Sequence, residues 1–277
     1  MYTKSGETSM SGFTKSIAYP WALTGIFGAF HLVLTFIPYS VLGMGGGFLT
    51  WGMVSAPIVG FLLGPFYGTI AVLAGSLVGT GIFNLGGILG PIVPVLAPTA
   101  GAFAAGALRT GRVRELVVVF LIAIVGYILS PIGIPAFLFI WLHLIAFFLL
   151  LILLVPSIYG RLKESVSFEK SRDLKLMPVA IFLFSFIALL TDHIVGNTAG
   201  VYYFHYILAM DVPTLVGIWL SITFVYPVER IVATFILTIV LIAVSEAIVQ
   251  TGFELPVSPW ESKEQLELSS EEIDNET

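Results

Sequence analysis

The chain has 277 residues, of which 57% are apolar and only 10% charged. A soluble globule of this composition would have too few charged groups to cover its surface, since ordinary domains carry about 25% charged residues. There is no cysteine, which excludes disulfides, thiolate catalysis and Cys-ligated metals. The net charge of −5 comes from the end of the chain, where eight acids follow Gly252 with one base, Lys263; the rest sums to +2 and offers no basic surface for nucleic acid.

In chain order, residues 1–18 are polar (Lys4, Glu7, Lys15) and read as a cytoplasmic segment ahead of a retained first span rather than a cleaved signal. Apolar runs long enough to cross or nearly cross a bilayer core follow at about 19–38, 50–64, 66–83, 92–108, 115–130, 134–155, 176–196 and 227–250. The expected fold is an all-α polytopic membrane bundle over 19–251, with about eight transmembrane helices and both termini cytoplasmic. The stretch 199–225 carries Asp211 and Pro213, costly in a lipid-facing span, and is expected to fold back on the outer side as a partly helical loop. Residues 252–277 form an acidic tail too poor in apolar groups to order itself. With the N-terminus inside and eight spans, the basic residues fall on the inner side, where cytoplasmic loops are enriched in them, except Arg230; counting the ambiguous stretch 199–225 as a ninth span instead moves Arg230 inside and sends the acidic tail out with Lys263, so each count breaks the rule once.

The first span places Ala18, Ala22, Gly25 and Ala29 on one face, where small residues allow another helix to approach closely. His31 and His143 read as packed, hydrogen-bonded rings. Gly64-Pro65-Phe66-Tyr67-Gly68 reads as a tight inner turn between the second and third spans, and Gly43 to Gly47 as a flexible outer loop.

Ionisable groups in a bilayer cost at least about 2.5–3.5 kcal/mol at a helix centre, so they are expected to face the bundle interior or water. Asp192, His193, Asn197, Glu229 and Arg230 cluster toward the outer side and are the candidate ligand contacts, with Trp51 and Tyr203 as stacking surfaces. In the last span Arg230, Thr234, Thr238 and Ser245 share one narrow face, which should point inward. Pro227 suits that helix's first turn. Nucleotide-binding, zinc-protease, EF-hand and serine-hydrolase motifs do not occur, so neither a metal, a cofactor nor a catalytic role is expected.

The stretch His31 to Gly79, HLVLTFIPYSVLGMGGGFLTWGMVSAPIVGFLLGPFYGTIAVLAGSLVG, resembles the first three helices of the substrate-binding (S) components of energy-coupling factor transporters. The features that carry the likeness are Ile37-Pro38 closing the first helix and the Gly64-Pro65-x-x-Gly68 turn. Thr191 to Asn197 and Pro227-Val228-Glu229-Arg230 are similar to the family's late helices. The resemblance implies a cell-membrane protein that binds a vitamin or similar small polar micronutrient. Energy would come from a T-type transmembrane subunit and paired ABC ATPases. Ala18, Ala22, Gly25 and Ala29 would contact the T subunit, and Gly43 to Trp51 would close over the ligand. Residues 113–156 would be a two-helix insertion into a six-helix core. The competing expectations are a stand-alone ion-coupled transporter using Asp192 and Glu229 as proton sites, and an integral-membrane enzyme.

Overall fold

Apolar runs fold as helices because backbone N–H and C=O groups without access to water must satisfy one another, and the helix does so within a single segment. The computed structural model describes residues 18–40, 49–84 and 87–256. The Gly43–Gly47 loop, the polar N-terminal residues 1–17 and the acidic tail from 257 lie outside the described residues.

Helix α1 (Ala18–Thr35) leads into a short antiparallel ladder, β1 (Pro38–Ser40) with β2 (Leu49–Thr50), in which Pro38 pairs with Thr50. Helix α2 (Gly52–Phe83) follows, then α3 (Val93–Thr110), α4 (Val113–Ile128), α5 (Trp141–Ile152), α6 (Pro156–Ser165), α7 (Met177–Tyr202), α8 (Val212–Ile222) and α9 (Tyr226–Thr251). A 3-10 turn, Phe137–Ile140, opens α5, and a π-helical turn, Tyr203–Ile207, extends α7.

Helix α2 is a hairpin of two arms, 52–63 and 65–83. Gly64 sits at φ 77°, where an L side chain is strained, and Pro65 starts the second arm. A Cβ on Gly68 would lie 2.7 Å from the Cα of Gly60. Residues eight apart in a straight helix are about 12 Å apart at 1.5 Å per residue, so the second arm runs back along the first. The tight turn expected from the Gly-Pro-x-x-Gly spacing is therefore present. Gly60 also lets the hairpin meet α3: a Cβ there would stand 1.9 Å from the carbonyl oxygen of Ala102.

Two ends of the bundle differ in chemistry. At one end the α2 turn, the start of α1 and the end of α9 come together. Trp21 packs edge-on to Tyr67 at 5.4 Å, and the Tyr19 hydroxyl donates to the Glu254 carbonyl at 2.6 Å. The α3–α4 turn and α6 are at the same end, where the Tyr159 hydroxyl donates to the Leu108 carbonyl at 2.7 Å and Phe168 meets Phe61. Every described Lys and Arg other than Arg230 falls at this end: in its loops, in α6, in the last turn of α3 (Arg109) or in the first turn of α4 (Arg114). Arg172, almost wholly buried, is paired with Glu246 of α9 at 2.6 Å, which accounts for that carboxylate near this end of the last helix. Helix α6 is bent 97° from α5.

At the other end lie the β ladder, the π-turn and α8. Helix α7 reaches farther than the span expected to end near 196. Its last turns are held by polar ties to α4 that sequence periodicity does not reveal: Thr198 Oγ1 donates to the Ala123 carbonyl at 3.0 Å and Tyr202 to that of Gly126 at 3.0 Å. The stretch 199–225 thus divides into a helical extension and α8, joined by a short link. Asp211 caps α8, its carboxylate accepting the Thr214 N–H at 2.8 Å, and that bond holds its carboxyl below the usual range.

The outside of the bundle is apolar. Ile26, Ile82, Leu129, Phe148, Phe235 and Ile239 are all exposed large hydrophobics. Contiguous apolar exteriors on this scale mark a surface that meets something other than water, and four helices are long and apolar enough to cross a membrane. The molecule is a helical bundle compatible with membrane insertion.

Candidate functional site

The charge-bearing helices α7 and α9 are apolar apart from a few positions, and those positions converge. Pro227 lies in the first turn of α9, as its missing N–H and fixed φ favour. One turn on, Arg230 begins a stripe in which Arg230, Thr234, Thr238 and Ser245 are all buried. Thr234 and Thr238 return their hydroxyls to the carbonyls one turn back, at 2.7 and 2.6 Å. That leaves the Arg230 guanidinium, and the Ser245 hydroxyl that is buried with no hydrogen-bond partner, as the groups on this face that look to the interior.

Arg230 is 3% exposed, and its Nη1 meets Met53 Sδ at 3.2 Å. It is electrostatically coupled to Asp192 of α7, a carboxylate 5% exposed whose Oδ2 has no hydrogen-bond partner. Both line a cavity of about 330 Å³, at the lower end of the roughly 300–1,000 Å³ typical of small-molecule sites.

The walls of that cavity come from six helices: His31 of α1, Met53 and Ser76 of α2, Val93 of α3, α7, α8 and the start of α9 supply it, together with the π-turn. Of the candidate contacts, Asp192, His193, Asn197, Glu229 and Arg230 all line it. Trp51 and Tyr203 do not. Trp51 precedes α2, its N–H bonded to the Ile37 carbonyl at 2.9 Å, and the Tyr203 ring packs over Gly90. The aromatic surfaces on the cavity are instead Trp219, Tyr226 and Phe204. Phe204 and Trp219 meet edge to face at 6.0 Å, and Trp219 Nε1, like Asp192 Oδ2, is buried with no hydrogen-bond partner. Trp219 belongs to the ambiguous 199–225 stretch, and Tyr226 is flagged in the sequence only by its place before Pro227.

Beneath the cavity is a second group. His193 is joined to His143 of α5 by a 2.9 Å Nε2···Nδ1 hydrogen bond, the rings stacked at 5.0 Å. Tyr226 packs on both and donates its hydroxyl to the Phe139 carbonyl at 2.7 Å. His143 is thus a packed, hydrogen-bonded ring as read from the sequence, and it brings the 113–156 segment into the floor of the site. His31 is likewise tied, with Nδ1 to Ser55 at 2.8 Å and Nε2 to Ser76 at 3.0 Å. His205 bonds the Met210 carbonyl at 2.9 Å.

The small-residue face of α1 is on the outside: Ala18, Ala22, Gly25 and Ala29 are exposed, and a Cβ at Gly25 would meet nothing within 4 Å.

The chain matches no protein family model, and no solved structure matches it. It is 27% identical over 175 residues to an uncharacterized protein of Methanocaldococcus jannaschii, an alignment that covers 63% of this chain and 55% of that protein. The chain therefore spans about half the length of the curated relative it matches.

Proposed function

We propose that this protein is the membrane-embedded substrate-binding subunit of an importer for a vitamin or similar small polar micronutrient, energised by a T-type membrane subunit and ABC ATPases. The observation that carries the reading is the 330 Å³ cavity with Asp192 and Arg230 buried in its wall. Two charges held inside an apolar bundle are expensive unless they serve a ligand or each other, and the unpartnered Oδ2 of Asp192 and Nε1 of Trp219 add an acceptor and a donor that packing does not use.

In this reading the chain makes eight crossings: α1, the two arms of α2, α3, α4, α5, α7 and α9. In this reading the Lys- and Arg-rich end opposite the cavity faces the cytoplasm, as does each terminus; the clustering of those basic residues at one end supports it. The cavity then opens on the external half. A solute entering there exchanges water for the Asp192 and Arg230 side chains and the Trp219, Tyr226 and Phe204 rings. The exposed Ala18–Ala29 face of α1 is the docking strip for the T subunit, which supplies the energy this chain has no nucleotide-binding motif to capture.

The test is uptake in proteoliposomes with and without co-reconstituted T subunit and ATPases. Uptake that requires all components supports the proposal. Undiminished, ion-gradient-dependent uptake by this chain alone would make it a stand-alone transporter instead.

A further inference from the structure

We infer that the acidic segment 257–277 docks on the basic end of the bundle, where the chain's own carboxylates occupy the exposed Lys and Arg side chains as an intramolecular polyanion. The inference is independent of what the cavity binds.

The path of the chain leads onto that surface. Gly252 closes α9 in the left-handed region at φ 64°, and the residues after it turn back onto the bundle. The Tyr19 hydroxyl holds the Glu254 carbonyl at 2.6 Å, Leu255 packs against the core, and Pro256 is buried. The last described residues therefore lie against the basic end instead of leading away from it.

The charges on the two sides are complementary. Through the end of α9, the described residues of this end carry eight bases against five acids, a net +3. Arg112 and Arg172 are taken by Glu115 and Glu246. Arg114, Arg161, Lys163, Lys170 and Lys175 are exposed and enter no ion pair among the described residues. Segment 257–277 carries seven carboxylates and one base, Lys263.

The distances are short. The Arg172–Glu246 pair sets Lys170 and Lys175, on either side of Arg172 in sequence, beside the last turns of α9. Glu246 is about 8 Å of helix before Thr251. An extended chain covers about 3.3 Å per residue, so Glu261 and Glu264 come within reach of these lysines a few residues after Pro256. Tethering by a short linker gives an effective concentration of the order of millimolar. Anionic lipid headgroups are the competing occupant of the same face, and they lack that tether.

The experiment treats the full-length protein, in nanodiscs of neutral phosphatidylcholine, with a zero-length carbodiimide. The reagent joins a carboxylate to a lysine amine only when the two are in contact, and mass spectrometry identifies the joined peptides. Mixing isotopically light and heavy protein separates links within one chain from links between two. The expected result is links from the carboxylates of 257–277 to Lys163, Lys170 or Lys175 within one chain at about 0.01 M salt. They should be lost at about 1 M salt, because the screening length falls from about 30 Å to about 3 Å. Links from Lys263 to neighbouring carboxylates are the control that the reagent reaches the segment. Control links without any link to the three lysines overturn the inference, as do links found only between light and heavy chains or links unchanged at high salt. Repetition in anionic phosphatidylglycerol discs tests the competing occupant: links kept there support the inference, and links lost there assign the face to lipid headgroups and overturn it.

Discussion

Arg230 and Asp192 sit on helices that would gain nothing from a charge if they met only lipid, and the interior cavity is what makes those charges useful. Removing the guanidinium leaves the carboxylate uncompensated. Arg230→Ala is therefore expected to weaken solute binding strongly and to lower the melting temperature, because the buried Asp192 carboxylate loses a positive charge that acts on it. A melting curve beside a binding isotherm checks both, and unchanged affinity would remove Arg230 from the site. The neighbouring His143–His193 bond makes a separate prediction. His143→Leu keeps volume but leaves His193 Nδ1 unpaired, which should cost about 1–3 kcal/mol in the melt. An unaltered melting temperature would mean that the bond contributes nothing. The charged members of the site were legible because charge in an apolar run is conspicuous whatever the geometry. Trp219 and Tyr226 were not, since aromatic residues near a helix end are expected at any membrane interface. For the same reason Trp51 and Tyr203 were singled out, although they pack outside the cavity.

Among the helices, the α2 hairpin shows how local sequence can fix a long-range arrangement. Gly64 and Pro65 allow the reversal, and Gly60 lets the first arm meet α3 backbone to backbone. A methyl at Gly60 has nowhere to go, because the Ala102 carbonyl is fixed by its own helix. Gly60→Ala should cost at least about 1–3 kcal/mol through overpacking, whereas Gly25→Ala on the exposed face of α1 should be neutral or slightly stabilising, as Ala outranks Gly in a helix. Comparative melts of the two variants test the packing directly. Helix α8 adds a pH dependence. The folded carboxyl of Asp211 is lowered by the Thr214 N–H, so its contribution is present above the unfolded value of about 3.9. It is lost as pH falls through the lower folded value. Asp211→Ala should abolish that acid-side loss in a pH-resolved melt, and an unaltered profile would show that the cap is not the cause. The Gly-Pro turn was readable because its residues act locally. The extension of α7 past 196 was not, because Thr198 and Tyr202 are satisfied by carbonyls of α4 some 75 residues away.

The whole molecule is an apolar bundle with basic loops at one end and a mixed-charge cavity toward the other. Absence of native cysteine makes its orientation measurable without background. A cell-impermeant maleimide should label Asp211→Cys in intact cells and Lys163→Cys only after lysis; the same pattern at both positions would refute the assigned orientation. The basic residues announced this polarity in the sequence, but the convergence of α1, α2, α3, α7 and α9 on one cavity depends on packing that no single segment encodes. The central claim is that the cavity holds a small solute through Asp192. Native mass spectrometry of the gently solubilised full chain tests it most directly. A bound non-lipid small molecule is expected on the wild type and absent from folded Asp192→Asn, and identical spectra from the two proteins would contradict the account.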